Sequence, residues 1–174
     1  MKKHYFSILF LLILRSAIGQ EPKDAQLVLD PDFGRMIDSY LEFSVPVISC
    51  PNLYQNQGQF IILDARESQE YQVSHLKDAF NIGYNNFNLH KLDSIDREKP
   101  VVVYCSIGYR SEKIATKLKQ NGFSKVYNLY GSIFEWANRG YPLYNQEGEE
   151  IKKIHTYNKK WSRWVEAQDI EKVW

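Results

Sequence analysis

Cysteine is scarce in this 174-residue sequence: Cys50 and Cys105 are the only two, and histidine occurs four times. Two cysteines cannot build a dense disulfide framework. No histidines or carboxylates stand at metal-ligand spacing, so no metal site and no cofactor are expected. Charge of one sign is missing as well, since 22 Lys and Arg stand against 21 Asp and Glu, which leaves no electrostatic footprint for nucleic acid. Long apolar runs are missing too. The longest, Phe6 to Leu14, is too short for a bilayer, which takes roughly 20 residues, so no stable membrane span is expected. There is no internal repeat or low-complexity tract to suggest a solenoid or a linker.

What is present begins with a leader. Lys2 and Lys3 precede the Phe6–Leu14 run, and Ala17-Ile18-Gly19 supplies small residues at a cleavable position. This pattern predicts a signal peptide over residues 1–19 and an exported protein, periplasmic or secreted, after cleavage near Gly19. Removing Lys2, Lys3 and Arg15 leaves 19 basic residues against 21 acidic ones, a balance of about −2. The remainder is one domain's worth of chain.

Residues 20–44 form a lead-in. Phe33, Met36, Ile37, Tyr40 and Leu41 fall at helical spacing, with Asp30 or Asp32 as the cap. Val45 to Ile48, Phe60 to Leu63, Ala79 to Ile82, Val101 to Tyr104 and Phe123 to Leu129 predict strands. Several are apolar without alternation, as doubly covered parallel strands are. Ser49-Cys50-Pro51 predicts a short helix with proline in its first turn. Cys50 is read as a packed residue there, apart from Cys105 at the opposite edge of the sheet, so no disulfide is expected. Gly131 opens a helix with Ile133, Phe134 and Trp136, and Trp136 is assigned to the core. In residues 144–174, Trp161, Trp164, Val165 and Gln168 predict a tryptophan-rich helix that docks on its own domain. Presenting those rings to a partner is the alternative.

The chemistry gathers in Cys105-Ser106-Ile107-Gly108-Tyr109-Arg110-Ser111, between the strand Val101–Tyr104 and the helical spacing of Ile114, Ala115 and Leu118. Ligands of open parallel sheets sit at such carboxyl ends. A helix amino terminus and a neighbouring cation lower a thiol's pKa. Backbone N–H groups from Ser106 to Ser111 could curl around the sulfur as an anion nest, with Gly108 supplying φ freedom. Arg110 could bring a planar fork to an incoming oxyanion. Cys105 is therefore read as a nucleophile toward a small anion. Asp64 is given a supporting role, holding the cysteine loop through its N–H groups, and Arg66 is expected to pair with Glu70. His75 is read as structural, and His90 and His155 as surface residues.

These residues resemble the rhodanese-like (sulfurtransferase) family. Leu63-Asp64-Ala65-Arg66-Glu67, Glu70-Tyr71 and Ser74-His75-Leu76-Lys77-Asp78-Ala79-Phe80-Asn81-Ile82 are similar to its first signature. Tyr127-Asn128-Leu129-Tyr130-Gly131-Ser132-Ile133-Phe134-Glu135-Trp136 resembles its closing segment. The resemblance covers residues 45–143. It implies an α/β, rhodanese-like fold: a central parallel sheet of about five strands flanked by helices on both faces. Ser74, Asp78 and Ser132 stand where the family carries glycine, departures expected to affect turns rather than the cysteine loop. The resemblance also implies a Cys105 persulfide that moves sulfane sulfur from a small anionic donor such as thiosulfate to a thiol or protein acceptor. Cys-x4-Arg favours sulfur over phosphate, because phosphatase-like loops are one residue longer. A persulfide carrier or redox partner, and a non-catalytic binding module using the tryptophan tail, are the rival readings.

Overall fold

The structure is a computed structural model that describes residues 27–174; the predicted leader, residues 1–19, lies outside them. In chain order, helix α1 (Pro31–Asp38) leads to strand β1 (Val47–Ile48), α2 (Cys50–Asn56), β2 (Ile61–Asp64), α3 (Ser68–Val73) and β3 (Phe80–Asn81). Then follow β4 (Val101–Tyr104), α4 (Tyr109–Gln120), β5 (Val126–Leu129) and α5 (Ser132–Asn138). These strands form one five-stranded sheet in the order β1-β5-β4-β2-β3, and every pairing is parallel.

A parallel sheet has both faces covered, so its central strand must be apolar on both sides. Strand β4 meets that condition, with all its residues buried. Val101 and Val103, followed by Cys105, pack with Leu63 and with Ile114, Ala115 and Leu118 of α4. Val102 and Tyr104 face the other way and pack with Leu53 of α2 and Ile133 and Trp136 of α5. The alternation places Cys105 on the α4 side as the chain leaves the sheet.

Local chemistry sets the element ends. Asp30 caps α1 by accepting the Asp32 N–H at 2.8 Å. The helix is shorter than its apolar spacing predicts. The Ser39 hydroxyl turns back onto the Met36 carbonyl at 2.6 Å, and Phe43 takes a left-handed φ of 52°. Tyr40 and Leu41 therefore lie beyond the helix, in irregular chain. Ser49 caps α2, and Cys50 is fully buried with its thiol toward the carbonyls of Tyr130 and Ser132. Both cysteines are free.

Beyond α5, β6 (Leu143–Tyr144) pairs antiparallel with β7 (Glu150–Ile151), and β8 (Lys153–His155) pairs in parallel with β9 (Glu171–Val173). The predicted tryptophan helix does not form; Trp161–Trp164 is a single 3-10 turn. Asn138 stops it, donating from Nδ2 to the Trp164 carbonyl at 2.9 Å and accepting the Glu166 N–H at 2.7 Å. Val165 is left extended and fully buried. Tertiary hydrogen bonds outweigh helical spacing here. The tail still docks on its own domain: Trp164 stacks on Phe33 at 5.5 Å between ring centroids, although Trp174 stays 59 % exposed. Among the described residues no helix is long and apolar enough to cross a membrane.

Candidate active site

The turn between β4 and α4 is fixed from both sides. Gly108 holds φ at 119°, in the left-handed region that a side chain resists. Its N–H thereby points back at Cys105 Sγ, 3.2 Å away. The Cys105 N–H donates to Ser132 Oγ at 3.1 Å. The carbonyls of Cys105 and Ser106 accept the N–H groups of Ile133 and Phe134, each at 3.2 Å. The first turn of α5 thus clamps the peptide around the thiol. Asn128 braces the turn from β5, donating to the Gly108 carbonyl at 3.0 Å and accepting the Ser111 hydroxyl at 2.7 Å. Ser111 Oγ also lies 3.5 Å from Cys105 Sγ. A hydroxyl has one proton, so what Ser111 gives to the sulfur it withdraws from Asn128 and from the Gly108 carbonyl, which lies 3.1 Å from its Oγ.

The cradle is narrower than the six-residue nest read from the sequence, since the N–H groups facing Sγ are those of Gly108 and Ser111. Burial, the strongest influence, pushes the Cys105 thiol up. The Arg110 charge, the Ser111 hydroxyl and the two N–H groups outweigh it and hold the thiol below its ordinary range. Ser106 Oγ accepts from Arg110 Nη2 at 3.0 Å.

Arg110 does not hold the open fork expected of it. It donates from Nη1 to Glu70 Oε2 at 2.6 Å and from Nη2 to Glu70 Oε1 at 2.8 Å. Glu70 also accepts the Glu67 N–H at 3.0 Å. Burial pushes the Glu70 carboxyl up, but the Arg110 hydrogen bonds and charge hold it below the usual carboxylate range. The expected Arg66–Glu70 pair is therefore corrected. Arg66 joins Asp64 instead, with Nη2 2.6 Å from Oδ2 and both residues fully buried. Arg66 Nη2 also donates to the Ser74 carbonyl at 2.6 Å. Asp64 spends its oxygens on the Arg66 N–H and guanidinium, not on the cysteine loop as predicted. The pair staples the end of β2 to the α3 exit.

His75 is structural: its ring stacks on Tyr71 at 3.9 Å, and its N–H and carbonyl pair with Tyr144. His90 is exposed, but His155 is half-buried, and its Nδ1 accepts the Tyr157 N–H at 3.0 Å. Ser132 is a second correction. It stands at a glycine position of the family pattern with φ at 52°, yet its hydroxyl touches the Cys105 backbone. Asn128, Glu70 and Ser132 are the residues the sequence reading left out of the site. The signal for Asn128 was a polar side chain inside an apolar strand.

Cys105 is 1 % exposed and lies on the floor of a cleft of about 290 Å³, with Ser106, Ile107, Tyr109 and Arg110 beside it. The walls are Tyr40, Glu67, Tyr84, Asn85, Tyr157 and Trp161. Of the residues expected at the site, Asp64, Arg66, Gly108 and Ser111 do not line it. Among the described residues no group of three His, Cys, Asp or Glu is placed to hold a metal ion.

Residues 52–139 match the protein family described as Rhodanese-like domain. The thiosulfate sulfurtransferase GlpE of Actinobacillus pleuropneumoniae serotype 5b is 34 % identical over 91 residues, covering 52 % of this chain and 82 % of that protein. A tRNA uridine(34) hydroxylase of Escherichia fergusonii is 29 % identical over 118 residues, 64 % of this chain and 32 % of the hydroxylase. The chain thus spans about a third of that relative. A solved rhodanese-related protein from Thermoplasma volcanium aligns with TM-score 0.52 and 29 % identity over 57 % of this chain and 97 % of its own. A rhodanese-like domain protein from Staphylococcus aureus aligns at TM-score 0.52 and 22 % identity over 59 % and 99 %, a likeness of fold.

Proposed function

Because this chain belongs to the rhodanese-like domain family, we propose that it is a sulfurtransferase in which Cys105 carries sulfur in transit as a persulfide. One observation carries the reading: a buried thiol at the floor of an open cleft, held below its ordinary pKa by Arg110 and by N–H donors from its own loop. A structural cysteine has no need of such an arrangement, and burial alone would silence it.

The exchange runs in two displacements. Cys105 thiolate attacks the outer sulfur of an anionic sulfane donor, of which thiosulfate is the simplest. The bond between the two donor sulfurs breaks, and sulfite leaves with the electron pair. The persulfide anion stays beside the Gly108 N–H, a preorganised donor that needs no rearrangement. An acceptor thiolate then takes the terminal sulfur and returns Cys105 as thiolate. Arg110, held by Glu70, acts by stabilising negative charge at the sulfur; it does not clamp the donor. The acceptor is a small thiol or a protein thiol, and the two steps predict ping-pong kinetics.

Intact-mass spectrometry after exposure to thiosulfate should show the gain of one sulfur atom, reversed by cyanide, and Cys105→Ser should show none. No gain from thiosulfate or from an organic thiosulfonate overturns the reading. The leader pattern of residues 1–19 supports placing this exchange in an exported compartment, which the amino-terminal sequence of protein recovered from the expressing cells tests.

A further inference from the structure

The cleft above Cys105 has walls from outside the family match at residues 52–139. Tyr40 comes from the lead-in, and Tyr157 and Trp161 come from the tail. They join into one aromatic surface. Tyr40 meets Tyr109 edge-on at 6.2 Å and Trp161 at 5.7 Å, while Tyr157 lies over the Arg110 guanidinium at 5.4 Å. Tyr157 is held in that place by backbone that disfavours it, with φ at 67°, secured by the bond from its N–H to His155 Nδ1.

The charges of the cleft do not suit a small dianion. Arg110 is its only lining cation among the described residues, and both guanidinium arms that could grip an anion already bond Glu70. Lys113, nearby over the Tyr109 ring, is paired with Glu42 at 2.5 Å. Glu67 adds a carboxylate to the wall, and the thiolate itself is negative. A doubly charged donor therefore exchanges hydration for like charges and no unpaired cation. A flat apolar group instead gains a ring-lined wall, and the room suffices, since a cavity of about 150 Å³ accepts a benzene ring.

We propose that the cleft selects an organic sulfur donor with at most one negative charge and an aromatic or apolar body, in preference to an inorganic dianion. The proposal rests on the sulfurtransferase reading and names its substrate class. With an organic thiosulfonate, R–SO2–S⁻, the Cys105 thiolate forms a bond to the terminal sulfur. The bond between the two donor sulfurs breaks, and the organic sulfinate R–SO2⁻ departs with the electron pair. Two negative charges enter and two remain, no proton moves and no oxidant is required.

Three donors separate charge from shape: thiosulfate, methanethiosulfonate and benzenethiosulfonate. The rate of Cys105 persulfide formation in the full chain is read by intact mass, and each rate is divided by that donor's rate with free cysteine. The corrected rate should be at least tenfold higher for benzenethiosulfonate than for methanethiosulfonate, with thiosulfate lowest. Trp161→Ala should cut the advantage of the ring at least fivefold. Tyr157→Gly should also reduce it, and this variant relaxes a strained backbone, so it guards against a misfolded Trp161 variant. Corrected rates for the two thiosulfonates within twofold, thiosulfate the fastest, or a ring advantage unchanged in both variants overturns the proposal. If none of the donors loads Cys105, the sulfurtransferase reading itself falls and the proposal with it. If all three load equally, only the selectivity falls.

Discussion

Cys105 and Arg110 form an electrostatic unit that Glu70 completes. The thiol is held below its ordinary range, so the pH midpoint of its alkylation by iodoacetamide should lie below the ~8.5 of a free cysteine. Arg110→Met should raise that midpoint, because the Ser111 hydroxyl and the loop N–H groups must then offset burial without the charge. Glu70 tests the same unit from the other side. Its folded pKa is depressed, so its contribution is present above the unfolded value of ~4.3 and is lost as pH falls through the folded value. Glu70→Gln should destabilise the protein by about 3 kcal/mol at neutral pH. It should also flatten the loss of stability on acidification, measured by urea unfolding across that range. At this scale the sequence was informative where the partners are local. Cys105, Gly108 and Arg110 lie in one turn, and their spacing carries the chemistry. The Arg66–Glu70 pairing failed because proximity along the chain suggested it, whereas Glu70 bonds an arginine forty residues away. A partner on another element leaves no mark in local spacing.

Among the elements, α4 supplies the groups that act on the Cys105 thiol, whereas α5 fixes the backbone that carries it. Ser132, the first residue of α5, accepts the Cys105 N–H and donates to the Leu129 carbonyl at 3.0 Å, while holding a positive φ. Two variants separate those effects. Ser132→Ala keeps the strained backbone and loses the hydrogen bonds, about 1 kcal/mol each. Ser132→Gly loses them too but relieves the left-handed penalty, itself ~1–2 kcal/mol. The glycine variant should therefore be the more stable of the two by about 1 kcal/mol in urea unfolding; equal stabilities would show that the conformation carries no strain. The strand-turn-helix plan was legible because short, β-branched apolar runs without alternation, set between turn residues and helical spacing, fit buried parallel strands. The clamp was not, since it depends on a serine where the family pattern has glycine. The tail helix failed for a related reason: Trp161, Trp164 and Val165 have helical spacing, but Asn138 captures the backbone on both sides of Val165.

For the molecule as a whole, the segment after β6 belongs to the core. Ile154 and Val165 are fully buried with the α1, α2 and α5 side chains, and each such burial is worth roughly 1.5–3 kcal/mol. A chain ending at residue 145 should therefore lose roughly 3–6 kcal/mol, a large share of a typical domain's stability, and should unfold at a markedly lower urea concentration. An unchanged midpoint would make the tail an appendage.

The N–H groups of Cys105, Ile133 and Phe134 are spent on one another's segments, which has a consequence for time as well as shape. Amides locked between two buried elements give up their protons to heavy water only when the domain opens globally. The stretch bearing the reactive atom should thus rank among the slowest to deuterate. Any motion that admits a ligand must then arise in the surrounding walls, with the sulfur itself a fixed point.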